Sequence, residues 1–177
     1  MTRSASGLIA IVALSFSCES GRAPQDEKSP RGTLTQNAKP QQPASRPIFV
    51  RGPTKGAPVA PFVAREVTEA QRGHWNVLVY VGATWCEPCQ RFHAAAMAGE
   101  FDEIMPGAHI VEFDLDADKE ELAKAGYSSQ VIPLFCVPKV DGTASDRRIE
   151  GSIKGNEAVG QNLIPRLRAF LAGSASG

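Results

Sequence analysis

Apolar positions gather into two kinds of block, and most of them follow residue 61. Residues 76–81 run Asn-Val-Leu-Val-Tyr-Val with no breaker, the signature of a buried strand. His109-Ile110-Val111-Glu112-Phe113-Asp114 predicts a second strand. Residues 133–138 predict a third, paired through a turn at Asp141-Gly142 with a fourth over 147–150. Between them the pattern is helical. Thr68 and Gln71 have the spacing of a capping box that opens a short helix. Residues 90–97, mostly good helix formers, carry a helix to about Ala98. Asp118 is placed to cap a helix over 119–125 that Gly126 ends. Leu163, Leu167, Phe170 and Leu171 share one face of a last helix, with Pro165 in its first turn, where a missing N–H costs little. Strands alternating with helices and then a hairpin predict an α/β fold, a mixed central sheet flanked by helices, with no internal repeat.

Composition divides the chain. In residues 1–18 a basic start, Arg3, is followed by an apolar core too short to span a bilayer, then by Cys18; this is the pattern of an export signal. Cys18 resembles the lipidated first residue of a bacterial lipoprotein, with plain secretion after cleavage nearby as the alternative. Residues 19–61 hold eight of the thirteen prolines and few large apolar side chains, so they predict a disordered linker. The zero net charge hides a basic bias there: seven Lys and Arg stand against Asp26 and Glu27 over 22–61. Such a tether suits an anionic surface or serves as a soluble spacer. Nucleic acid is a poor partner, since no aromatics interleave the basic residues. The predicted folded domain is 62–172, a monomer, and 173–177 is a flexible tail.

The densest chemistry is Trp85-Cys86-Glu87-Pro88-Cys89. Cys86 stands where a strand hands over to a helix, and there the free N–H groups and the helix dipole favour a thiolate, the form that attacks disulfides. Cys89 lies one turn on, within reach. A zinc half-site is the competing reading, with His93 as a third ligand, although a structural site usually needs a second Cys/His pair. Cys136 reads as a small core residue, with a third redox thiol as the alternative. His74 and His109 read as surface or edge residues. Asp114, Asp116 and Asp118 alternate like a calcium loop but lack the glycine and glutamate it needs.

Residues 83–89, Ala-Thr-Trp-Cys-Glu-Pro-Cys, resemble the active-site segment of the thioredoxin superfamily. Val131-Ile132-Pro133-Leu134-Phe135 is similar to its cis-proline segment, and the likeness covers about 61–172. The resemblance implies a dithiol oxidoreductase. Cys86 attacks a protein disulfide, favoured by its exposure, and Cys89 resolves the mixed disulfide. Ile132 and Pro133 hold the substrate backbone, Trp85 shapes the site and Gly151 leaves room for substrate. Glu87 and Pro88 tune the couple. A carboxylate beside Cys86 disfavours its thiolate, which leans the protein towards reduction. No bound cofactor or metal is implied, and the electron donor is another thiol protein. Three positions depart from the family pattern. Tyr80 replaces a buried aspartate that takes part in proton transfer, Gly82 replaces a tryptophan, and Leu134 follows the proline where threonine is common. The departures suit a specialised envelope member, tethered through lipid on Cys18. The rivals are a copper- or zinc-carrying module and an adaptor with an inert CxxC.

Overall fold

The computed structural model describes residues 45–53 and 56–173. Cys18, the signal segment, most of the linker and residues 174–177 lie outside the described residues. Five strands form one mixed sheet: β1 (Ile48–Arg51), β2 (Val77–Gly82), β3 (His109–Asp114), β4 (Leu134–Pro138) and β5 (Ala144–Glu150), in the order β1-β3-β2-β4-β5. β3 pairs in parallel with β1 and β2, while β4 is antiparallel to both β2 and β5. The helices are α1 (Val59–Gly73), α2 (Glu87–Ala98), α3 (Lys119–Lys124) and α4 (Ile164–Ala172), the last preceded by a π-helical stretch, Ala158–Leu163.

The two-residue period of the strands sorts the core into two layers. Leu78, Tyr80, Ile110 and Phe135 face one way and pack with Cys86, Cys89 and Phe92 of the α2 side and with Leu163 and Leu167. Val79, Val81, Val111 and Cys136 face the other way, against Val59 and Val63 of α1 and Leu122 of α3. Cys136 is therefore fully buried across the sheet from the CxxC pair, and burial pushes its thiol pKa up. Burial there outweighs the Ser145 hydrogen bonds and the nearby Arg148 charge, which act the other way.

The folded unit starts earlier than the sequence pattern places it. Ile48–Arg51, inside the expected linker, adds β1 to the sheet edge, and α1 begins at Val59. Pro61 is tolerated because first-turn N–H groups have no intrahelical partner. Thr68 is consequently mid-helix and not a cap; its hydroxyl donates to Ala64 O at 2.9 Å. Asp118 precedes α3 but does not cap it, since its Oδ2 accepts from the Asp114 N–H at 3.1 Å. The last helical segment opens at Ala158, before Pro165. A proline ring crowds the carbonyl four residues back in an α-helix, and the wider π turn relieves that contact. His109 is no idle edge residue: its ring stacks on Trp75 at 4.5 Å.

Candidate functional site

β2 ends at Gly82, and the chain turns through Ala83-Thr84-Trp85 into α2. Gln90 ties this turn to the helix by donating its side-chain amide to Thr84 O. Cys86 is the N-cap of α2, and its Sγ accepts from the Cys89 N–H at 3.3 Å. The two cysteines form a disulfide, with Cα atoms 5.2 Å apart. Pro88 lies in the first turn and is buried, so the helix start is rigid where the sulfurs meet. Cys86 is not exposed as expected: it is 4 % accessible, and Cys89 is 1 %. Both cysteines line open space, but not the same space.

Cys86 borders a groove of about 540 Å³ shared with Trp85, Val131, Ile132, Gly151 and Ile153. The Ile132–Pro133 peptide is cis. Pro133 itself is buried; its carbonyl accepts from the Gly151 N–H at 2.8 Å, which joins the two backbone walls. Gly151 has φ +68°, and a Cβ there would meet Val131 Cγ2 at 3.3 Å, so glycine suits both the backbone and the space. Trp85 is 63 % exposed, and its indole N–H donates to Asp116 Oδ2 at 2.7 Å. The groove therefore offers apolar surface beside ordered backbone.

Cys89 instead borders a cavity of about 790 Å³ behind α2, shared with Tyr80, His93, Glu112, Asp114 and Asp118. His93 Nε2 is 3.0 Å from Glu112 Oε1, and its ring lies among Phe49, Tyr80 and Phe92. Among the described residues no three His, Cys, Asp or Glu side chains form a group that could hold a metal ion. The Tyr80 hydroxyl is buried with no hydrogen-bond partner, and a Cβ at Gly82 would stand 2.3 Å from it. Two departures from the family pattern are thus one: a tyrosine at 80 requires glycine at 82. Burial, then the Glu112 charge, pushes the Tyr80 phenol pKa above its ordinary value, so it remains a neutral donor.

Glu87 differs from the sequence expectation of a free charge beside Cys86. Arg91, one turn along, donates to its carboxylate, and so does the Gly155 N–H at 3.1 Å. The Arg91 hydrogen bond first, and the Gly155 one with it, hold the Glu87 carboxyl below its usual range. The i, i+4 spacing of Glu87 and Arg91 was a visible signal of this pairing. Arg166 was not visible as a site residue. From α4 it donates to Gly151 O at 2.6 Å and to Glu150 O at 2.9 Å, holding the chain that forms one groove wall. Asp116, the Trp85 partner, carries no local signal either, because the contact spans thirty-one residues.

No family model matches the chain. A thioredoxin of Pyricularia oryzae, thioredoxin-2, is 31 % identical over 109 residues, which cover 62 % of this chain and 54 % of that protein. The chain thus spans about half the length of the curated relative it matches. Among solved structures, a poplar thioredoxin h is 20 % identical over 75 % of this chain and 99 % of its own, with a TM-score of 0.47. The thioredoxin of Trichomonas vaginalis is 17 % identical over 73 % and 98 %, with a TM-score of 0.45. A mixed sheet flanked by helices, a CxxC disulfide at a helix start and a cis-proline loop on the same groove give this chain a thioredoxin-like fold, and in sequence it is similar to the Pyricularia thioredoxin.

Proposed function

We propose that this protein is a thiol–disulfide oxidoreductase that reduces protein disulfides while tethered to a bacterial envelope. The observation that carries the reading is the Cys86–Cys89 disulfide at a helix N-terminus, with Cys86 on a groove walled by Ile132 and Gly151 backbone. In the reduced protein the Cys86 thiolate attacks one sulfur of a substrate disulfide. The substrate S–S bond breaks and its second sulfur leaves with the electron pair and takes up a proton. Cys89 then attacks Cys86 and closes the internal disulfide, while the first substrate sulfur leaves in the same way. Two electrons pass from protein to substrate, and another thiol protein restores the dithiol. The Cys86 helix-start position favours the attacking thiolate. Trp85, Val131 and Ile153 give the groove an exposed apolar rim for a protein substrate. Tethering rests on the apolar segment that ends at Cys18.

The test is trapping. Cys89→Ser should accumulate partners as mixed disulfides on Cys86, whereas Cys86→Ser should capture none and lose disulfide reduction with dithiothreitol as donor. Full activity in Cys86→Ser would end this reading. For the tether, Cys18→Ala should release the protein from membranes or block its processing; wild-type protein that fractionates as soluble would refute that part alone.

A further inference from the structure

The cavity behind α2 has no role in the groove chemistry, yet Cys89 lines it. Cys89 is 1 % accessible and borders this cavity and not the groove. When it resolves a mixed disulfide its thiol must give up a proton, and the groove side is then covered by substrate. The proton has to leave through the cavity.

The titratable groups that line the cavity are Arg51 from β1, Tyr80 from β2, Glu112 and Asp114 from β3, Asp118 before α3, and His93 beside Cys89 on α2. Arg51 is a cation and accepts nothing. Tyr80 is a neutral phenol, a donor, so the position the family gives to a carboxylate supplies no base here. Asp114 Oδ1 already accepts from the Asp116 and Ala117 N–H groups at 2.9 Å, and Asp118 Oδ2 from the Asp114 N–H. Of these groups His93 stands on the same helix as Cys89, and Glu112 is in contact with it. His93 follows Cys89 by four residues and so shares its helix face. Its contact with Glu112 and the rings of Phe49, Tyr80 and Phe92 fix the imidazole at the cavity wall. Imidazole is the side chain that both takes and gives a proton near neutral pH. The cavity is roomy enough for water to bridge the distance to Cys89.

We propose that the His93–Glu112 pair is the proton relay of Cys89, standing in for the missing buried carboxylate. The inference rests on the oxidoreductase reading. In the resolving step the Cys89 S–H proton passes through cavity water to the pair. The Cys89 sulfur forms a bond to Cys86 Sγ, the Cys86–substrate bond breaks, and its electron pair leaves on the substrate sulfur, which is protonated from solvent. On reduction by a donor thiol the relay returns a proton to Cys89.

The probe is 5,5′-dithiobis(2-nitrobenzoate), mixed in stopped flow with the reduced full chain carrying Cys18→Ser. The first equivalent of chromophore reports attack by Cys86, and the second reports resolution by Cys89. His93→Gln and Glu112→Gln should leave the first phase unchanged. His93→Gln should slow the second by about a hundredfold, the low end for general acid–base catalysis, and alter the shape of its pH profile. Added imidazole should restore the second phase of His93→Ala. Two fast phases with an unaltered pH profile in both glutamine variants would overturn the inference and leave the oxidoreductase reading standing. No first phase in the His93-intact protein would overturn both.

Discussion

One side of the disulfide is a groove with an apolar rim and the other a cavity lined by titratable side chains. On the Cys86 side Trp85, Val131 and Ile153 are exposed, and the walls are backbone held by the Gly151–Pro133 and Arg166–Gly151 hydrogen bonds. On the Cys89 side the lining includes Tyr80, His93 and Glu112, and Tyr80 and His93 pack on Phe92, which also touches the rings of Phe49, Phe101 and Phe135. Under the reaction proposed above, this contrast lets one CxxC serve two steps. The attacking sulfur needs a surface on which a second chain can lie. The resolving sulfur needs protection from that chain and an outlet for its proton. The four residues 86–89 can do both only because the helix start lies between the two spaces.

If the cavity side is structural packing and the groove side a docking surface, truncations should separate them. Phe92→Ala should lower unfolding free energy by about 3–5 kcal/mol, the range for a buried phenylalanine, as read by urea denaturation. A loss below about 1 kcal/mol would mean that the cluster is not what holds the cavity wall. Next in size is Gly82→Ala, whose Cβ would collide with Tyr80 and should cost about 1–3 kcal/mol. Tyr80→Phe alone should change stability by less than about 1 kcal/mol, since the hydroxyl has no protein partner to lose. The double variant should recover part of the Gly82→Ala loss; strict additivity would show that the two positions are not coupled. On the groove side, Trp85→Ala should cost under about 1 kcal/mol of stability. It should slow reduction of a protein disulfide roughly tenfold, a loss of about 1.4 kcal/mol in transition-state binding, and leave a small disulfide nearly unaffected. Equal slowing of both substrates would place Trp85 in the chemistry and not in docking.

The sequence made one side of this comparison far more readable than the other. The groove residues Cys86, Ile132 and Gly151, and Pro133 behind them, belong to local motifs. Strands β2 to β4 announce themselves as apolar runs, and helix α2 as a run of good formers. The cavity is assembled from β1, β2, β3 and α2, and its key contact, His93 with Glu112, joins residues nineteen apart with no shared motif. β1 was hidden because Ile48–Arg51 is four residues long, sits between Pro47 and Pro53, and gains its place only by pairing with β3. The start of α1 was hidden by Pro58 and Pro61, read as linker composition although a helix N-terminus accepts proline. Tyr80 and Gly82 were each visible as a departure, but their mutual contact follows from strand geometry that places i and i+2 on one face.

The smallest expected effect sharpens the electrostatics of the groove side. A bare carboxylate next to Cys86 would oppose its thiolate, yet Glu87 is held by Arg91 and Gly155. Much of its charge is already answered at neutral pH. Glu87→Gln removes the negative charge and leaves Arg91 without that partner, and both changes favour a thiolate at the helix start. The Cys86 thiolate should therefore form at lower pH in the variant, by a few tenths of a unit given the solvent screening at this exposed pair. Thiolate absorbance titration of the reduced proteins measures it. An equal or higher titration midpoint would show that Arg91 cancels Glu87 completely, and would remove the argument that Glu87 biases the couple towards reduction. Stability adds an independent check with a defined sign. The folded-state pKa of Glu87 is depressed, so its contribution is present above the ordinary carboxylate pKa and is lost as pH falls through the lower folded value. The difference in melting temperature between wild type and Glu87→Gln should accordingly be present at pH 7 and shrink in acid. A difference that grew as the pH fell would mean that the Arg91 and Gly155 contacts do not stabilise the charged form.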